Sequence, residues 1–130
     1  MKKLTILLLF VFCLSLAGCS KDSEINAFLS ELEGVTNEMA KSLENGNIDE
    51  AQKNFNAKKD SLKTKFGGIK EARGFQVSEA TKKKMEEDMK KNGATLQSAV
   101  MKGSMKMATD KGAVDKMQAL MKDYMSIFTM

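Results

Sequence analysis

Histidine is absent from this 130-residue sequence, and so are tryptophan and proline. Without histidine the chain cannot supply a serine–histidine nucleophile pair, a histidine-containing zinc site or the Glu-x-x-His motif of a di-iron helical bundle. No glycine-rich phosphate loop follows a strand pattern either. We therefore expect a protein that is not an enzyme, with no cofactor and no catalytic or metal-ligating residues.

The net positive charge is also small. The formal net charge is +4, from 21 basic and 17 acidic residues, and the single arginine is Arg73. Lys2 and Lys3 belong to an N-terminal segment that we expect to be removed, which leaves 19 basic residues against 17 and a net charge of +2. Because no basic stripe with interleaved aromatic residues is present, we expect no nucleic-acid partner.

The N-terminus has the residue order of a secretory signal. Lys2 and Lys3 precede an apolar run from Leu4 to Ala17, and Gly18 and Cys19 follow that run. The run is about fourteen residues, or roughly 21 Å as a helix, whereas a transmembrane helix needs about twenty residues. The sequence therefore predicts a cleaved signal peptide over residues 1–18.

The four residues Leu16-Ala17-Gly18-Cys19 resemble the lipobox of bacterial lipoproteins. This resemblance implies cleavage between Gly18 and Cys19 and a lipid on Cys19 that holds the protein at a membrane. Cys13 would be lost with the leader, so no disulfide would remain. In Gram-negative bacteria, serine rather than aspartate after the lipidated cysteine, here Ser20, implies a position in the outer membrane facing the periplasm.

The rest of the chain has the composition and periodicity of helices. We expect a lipidated cysteine and short tether over residues 19–23 and one helical domain over residues 24–130. A first helix from Ser23 to Asn45 would bury one face and end at Gly46, with Asp22 or Ser23 as its cap. The face consists of Ile25, Phe28, Leu29, Leu32, Val35, Met39 and Leu43.

Three further helices follow from their caps. Asn47, with Glu50 three residues later, predicts the start of a second helix, which we expect to stop at Gly67-Gly68. Ser78 and Asp110 predict the starts of a third and a fourth helix. The boundary between these two is open, because Gly93 and Gly103 fit a kink, a break or a close helix crossing. The sequence thus predicts an all-α fold, a compact antiparallel bundle of about four helices.

The third helix carries an expected inner face and a charged outer face. Its inner face would contain Thr81, Met85, Met89, Leu96, Val100 and Met107. Residues 82–91 form five opposite-charge pairs at a spacing of four, each worth about 0.2 to 0.5 kcal/mol. We interpret this charged run as a solvated helix face.

Methionine is the unusual residue, with eleven in the chain. Thioethers suit Cu(I), and Met117, Met121 and Met125 share one side of a helix, but packing in a helical core or groove explains them better. The leading functional hypothesis is a non-enzymatic envelope lipoprotein that binds a protein partner near the membrane. The alternatives are a Met-based Cu(I) or Ag(I) binder and a carrier of a small apolar ligand between the helices.

Overall fold

The computed structural model describes residues 20–129, and they form a bundle of four α-helices. The helices are α1 (Asp22–Glu44), α2 (Ile48–Ile69), α3 (Glu79–Met107) and α4 (Lys111–Met125), and two 3-10 turns cover Gly74–Gln76 and Ser126–Phe128. The prediction of an all-α bundle is confirmed. The lipobox, including Gly18 and Cys19, lies outside the described residues. No helix within residues 20–129 is long and apolar enough to cross a membrane.

Three of the predicted caps form as hydrogen bonds to the first turn of a helix. The Asn47 side chain accepts from the Glu50 amide at 3.2 Å, and Ser78 accepts from the Thr81 amide at 3.2 Å. The third, Asp110, caps α4 at the Ala113 amide, at 3.0 Å. Such a cap stabilises a helix by about 1 kcal/mol, because it satisfies an amide that has no partner within the helix. Gly46 ends the first helical segment with φ of 76°, as its position predicted.

Asp22 has a different role from the one expected. Its carboxylate does not cap α1, which begins at Asp22 itself; Oδ1 instead accepts a hydrogen bond from the Ser78 amide at 2.9 Å. This backbone hydrogen bond is the main reason that the pKa of Asp22 lies below its ordinary value. The first residue of α1 therefore ties the start of α1 to the start of α3.

The predicted stop at Gly67-Gly68 was wrong, because α2 continues through both glycines to Ile69. Ile69 is buried, and the Lys70 amide still donates to the Phe66 carbonyl at 2.8 Å. Burying an isoleucine side chain contributes about 1.5 to 3 kcal/mol, which is comparable to the roughly 2 kcal/mol that the two glycines together cost in a helix. Helix α3 is likewise unbroken at Gly93 and Gly103.

The chain runs up and down, with α1 at the centre. Most interhelical contacts join α1 to α2 and to α3, and the expected inner face of α1 is buried in full. Helix α4 reaches α1 through a buried hydrogen bond between Thr36 Oγ1 and Tyr124 Oη at 2.8 Å. The buried core described within residues 20–129 therefore joins all four helices, and a chain beginning at Ser20 contains every residue of that core.

Gly103 marks a close crossing of α1 and α3, which was one of the alternatives considered for it. A Cβ atom at this position would lie 2.6 Å from the Leu43 carbonyl oxygen. Gly93, by contrast, faces open space, with nothing within 4 Å of the same built atom. Only the first of these two glycines is therefore required by packing.

Ion pairs join neighbouring helices and also join residues within one helix. Lys91 in α3 contacts Glu33 in α1 at 2.5 Å, and Lys65 in α2 pairs with Glu31 in α1. The other interhelical pairs are Lys102–Glu44, Lys116–Asp49 and Lys59–Asp123. Of the five pairs expected within residues 82–91, the two that form are Lys83–Glu87 and Lys84–Asp88. Exposed pairs of this kind contribute little to stability, about 0 to 1 kcal/mol each.

Candidate functional site

The fourth helix is much shorter than the helix it packs against, and this difference creates an opening. Helix α3 has 29 residues and α4 has 15, which correspond to about 43 Å and about 22 Å. The two run antiparallel, and Ser104 in α3 lies 3.9 Å from the sulfur of Met117 in α4. Helix α4 therefore accompanies the C-terminal half of α3 and ends before its N-terminal half.

Where α4 ends, the bundle has an apolar groove of about 430 Å³. Three helices and the C-terminal 3-10 turn form its walls: Phe28 from α1, Phe66 and Ile69 from α2, Lys82, Met85, Glu86 and Met89 from α3, and Phe128. We refer to this site as the apolar groove.

Met85 and Met89 lie on the part of α3 that the shorter α4 does not cover. Both were expected on the inner face of α3, but they are 38% and 37% exposed. Asn92, which is 3% exposed, is buried on this helix instead, and its Nδ2 has no hydrogen-bond partner within residues 20–129. The two methionines therefore line the apolar groove rather than the core.

The floor of the groove is a cluster of three phenylalanine rings. Phe28 and Phe66 have ring centroids 5.7 Å apart, and Phe128 lies 5.5 Å from Phe66 and 6.3 Å from Phe28. Tilted and edge-to-face pairs of this kind each contribute about 0.5 to 1.5 kcal/mol beyond burial. The floor is thus held in place from three different segments of the chain, while the methionine wall above it is flexible.

A second cavity continues the groove toward the loop between α2 and α3. It has a volume of about 270 Å³ and shares Phe66, Ile69 and Met85 with the apolar groove. Ile25, Lys70, Ala72 and Val77 complete its lining. The apolar surface therefore extends to the end of the bundle at which α1 begins.

Charged residues of both signs lie at the rim. Lys82 and Glu86 are one turn apart on α3, and Lys70 lies at the edge of the second cavity. Lys82 is engaged with Glu79, at 2.6 Å, rather than with Glu86 as its spacing predicted. An occupant with apolar residues on one side and charged residues on the other would suit this arrangement.

The methionines of α4 differ in their surroundings. Met117 is 5% exposed, Met121 is half-buried against the core, and Met125 is 58% exposed. Elsewhere, Met39 and Met107 are also buried in the core. Because the exposure of the three α4 methionines ranges from buried to exposed, they fit packing at the core better than a shared three-sulfur metal site. Within residues 20–129, no three carboxylate or thiol side chains cluster closely enough to hold a metal ion.

The residues with perturbed pKa values lie outside the groove. A hydrogen bond from Lys65 lowers the pKa of Glu31, and burial raises the pKa of Tyr124 although its bond to Thr36 opposes the shift. The groove thus offers shape, aromatic surface and flexible thioethers, which serve binding. Phe28 was expected on the buried face of the first helix and a groove was considered for the methionines, but the sequence did not locate that groove in the chain. No protein-family model matches the chain, and no curated protein and no solved structure is significantly similar to it.

Proposed function

We propose that this protein is a lipid-anchored, non-enzymatic protein of the bacterial envelope whose apolar groove binds an amphipathic helix of a partner protein. The observation that carries this proposal is the half-exposed apolar face of α3 beyond the end of α4. In a four-helix bundle that face would be covered by a fourth helix. A partner helix in the groove would complete the bundle there.

The dimensions of the groove suit a short helix. The part of α3 that lines it, from Lys82 to Met89, spans about two turns or about 12 Å. Helices that bind in grooves present apolar residues at spacings of three and four, and the phenylalanine floor offers a continuous surface to such a stripe. Methionine side chains adapt to irregular partners, which suits Met85 and Met89 to a wall that closes over an incoming residue.

The anchor part of the proposal is supported by the lipobox and by the short tether. Because α1 begins at Asp22, only Ser20 and Lys21 separate it from Cys19. Even fully extended, the three residue steps from Cys19 to Asp22 reach about 10 Å at roughly 3.5 Å each. A lipid on Cys19 would therefore hold the groove end of the bundle beside the membrane, where a partner of the envelope would meet it.

A small apolar ligand is the second candidate, because the volume of the groove favours it. About 430 Å³ falls within the range of roughly 300 to 1,000 Å³ that is typical of small-molecule sites. A carrier and a partner binder would use the same walls. The experiment must therefore identify what occupies the groove in the cell.

The test is photo-crosslinking in living cells from inside and outside the groove. A benzoylphenylalanine is placed at Met89 in the full-length protein, with Met101 as the control, since Met101 lies on the same helix and is 63% exposed. We expect a discrete protein adduct from position 89 and none from 101, and loss of that adduct when Met85→Glu is added. An adduct with lipid alone would favour the carrier. Equal adducts at both positions would contradict a specific site.

The anchor has its own test, which does not involve the groove. Cys19→Ala should abolish labelling by radioactive palmitate, because the acceptor of the lipid is removed. The control is Cys13→Ala, which changes the other cysteine of the chain and should leave labelling intact. Normal labelling of the Cys19→Ala protein would refute the lipoprotein assignment.

A further inference from the structure

We propose that Phe75, in the loop between α2 and α3, inserts into the membrane surface and forms a second membrane contact beside the lipid on Cys19. Phe75 is 80% exposed, more than any other large hydrophobic residue within residues 20–129. The partner for this surface is a phospholipid bilayer. The orientation that it requires rests on the proposed anchor.

Two hydrogen bonds fix the position of this loop relative to the start of the chain. The Lys21 amide donates to the Gln76 carbonyl at 2.8 Å, and the Ser78 amide donates to Asp22 Oδ1 at 2.9 Å. Phe75 is the neighbour of Gln76, and Cys19 is two residues before Lys21. Phe75 and the attachment point of the lipid are therefore at the same end of the bundle.

The exposure of Phe75 results from an ordered turn. The Gln76 amide donates to the Arg73 carbonyl, and the Arg73 amide donates to Gln76 Oε1, both at 2.9 Å. The next residue, Val77, packs against the core. Since its neighbours are held on both sides, the ring at position 75 is presented outward from the bundle.

A bilayer suits this presentation better than a charged partner does. The loop carries Lys70 and Arg73 against Glu71, so its charge is small and an apolar contact dominates. The two or three acyl chains of a lipoprotein cysteine would hold the protein stably without help. The contribution of Phe75 is therefore to orientation: a ring in the interface beside the lipid limits rotation of the bundle about its tether and keeps the groove beside the membrane.

The test uses the lack of tryptophan in the chain. Phe75→Trp introduces a single fluorophore at the loop, and Met105→Trp introduces one at the opposite end of the bundle, where residue 105 is 75% exposed. Each variant begins at Cys19, and that sole cysteine is coupled to a maleimide phospholipid. The vesicles consist of phosphatidylethanolamine and phosphatidylglycerol with brominated acyl chains, which quench tryptophan only within the bilayer.

After coupling, we expect the Phe75→Trp variant to show a blue shift and a loss of intensity, while Met105→Trp emits as it does in water. Emission of Phe75→Trp that stays unshifted and unquenched would overturn the proposal, and so would equal quenching of both variants. Because the lipid is attached chemically, the result does not depend on lipidation in the cell. A failure of the lipoprotein assignment appears separately, in the palmitate labelling of Cys19→Ala.

Discussion

The close crossing at Gly103 makes a quantitative prediction about two glycines in one helix. Gly103→Ala would place a Cβ atom 2.6 Å from the Leu43 carbonyl oxygen and 3.3 Å from the Met107 methyl group. The methyl group is the end of a flexible side chain and can move. The carbonyl belongs to the backbone of α1, so the two helices must separate to accept the new atom.

The size of the effect follows from two opposing terms. Replacing glycine by alanine in a helix favours folding by about 0.8 to 1 kcal/mol. Overpacking at a close contact costs about 1 to 3 kcal/mol. Gly103→Ala should therefore lower the free energy of unfolding by up to about 2 kcal/mol, whereas Gly93→Ala, which meets no atom, should raise it by up to about 1 kcal/mol.

The measurement is urea unfolding of chains that begin at Ser20, followed by circular dichroism. The dependence of the free energy on urea should be unchanged in both variants, because the surface exposed on unfolding is the same. Since the propensity term is common to both, their difference isolates the helix crossing. If Gly103→Ala proved as stable as Gly93→Ala, the close approach of α1 and α3 would be refuted.

Three further outcomes test the core and the ion pairs. The raised pKa of Tyr124 means that the folded state holds the phenol proton more tightly than the unfolded state does, so the free energy of unfolding should fall as pH rises above 10.0. Tyr124→Phe removes this proton and should weaken that fall, as measured by urea unfolding at several pH values. The lowered pKa of Glu31 means stability that is present above pH 4.5 and lost as pH falls; Glu31→Gln should flatten this acid loss, and an unchanged acid profile would contradict it. Replacing Met117 and Met121 by leucine should cost less than about 1.5 kcal/mol if they pack. Competitor-resistant Cu(I) binding that the double change removes would show instead that they are ligands.

Local patterns predicted the helices well, because local physics decides them. The apolar stripe of α1 is buried as expected, and the caps at Asn47, Ser78 and Asp110 form with amides three residues away. These hydrogen bonds join neighbours in sequence, so residue type and spacing are sufficient to predict them.

The predictions that were wrong depend on contacts between distant residues. Asp22 or Ser23 was expected to cap the first helix, yet Asp22 accepts from the amide of Ser78, 56 positions away. Gly67-Gly68 was placed at the end of α2, yet burial of Ile69 carries the helix past both glycines. In each case a tertiary contact prevails over a local preference of about 1 to 2 kcal/mol.

The groove lies between these two cases, because the sequence shows apolar stripes of unequal length but leaves open whether the third helix continues through Gly93 and Gly103. The inner stripe of the third helix runs from Thr81 to Met107, whereas that of the fourth runs only from Ala113 to Phe128. Two antiparallel helices of such unequal length cannot cover each other, so part of the longer stripe must stay open or bind something else. Because Met85 and Met89 lie on that part and remain half-exposed, a partner helix of the kind proposed would need its own apolar residues at helical spacing over about two turns.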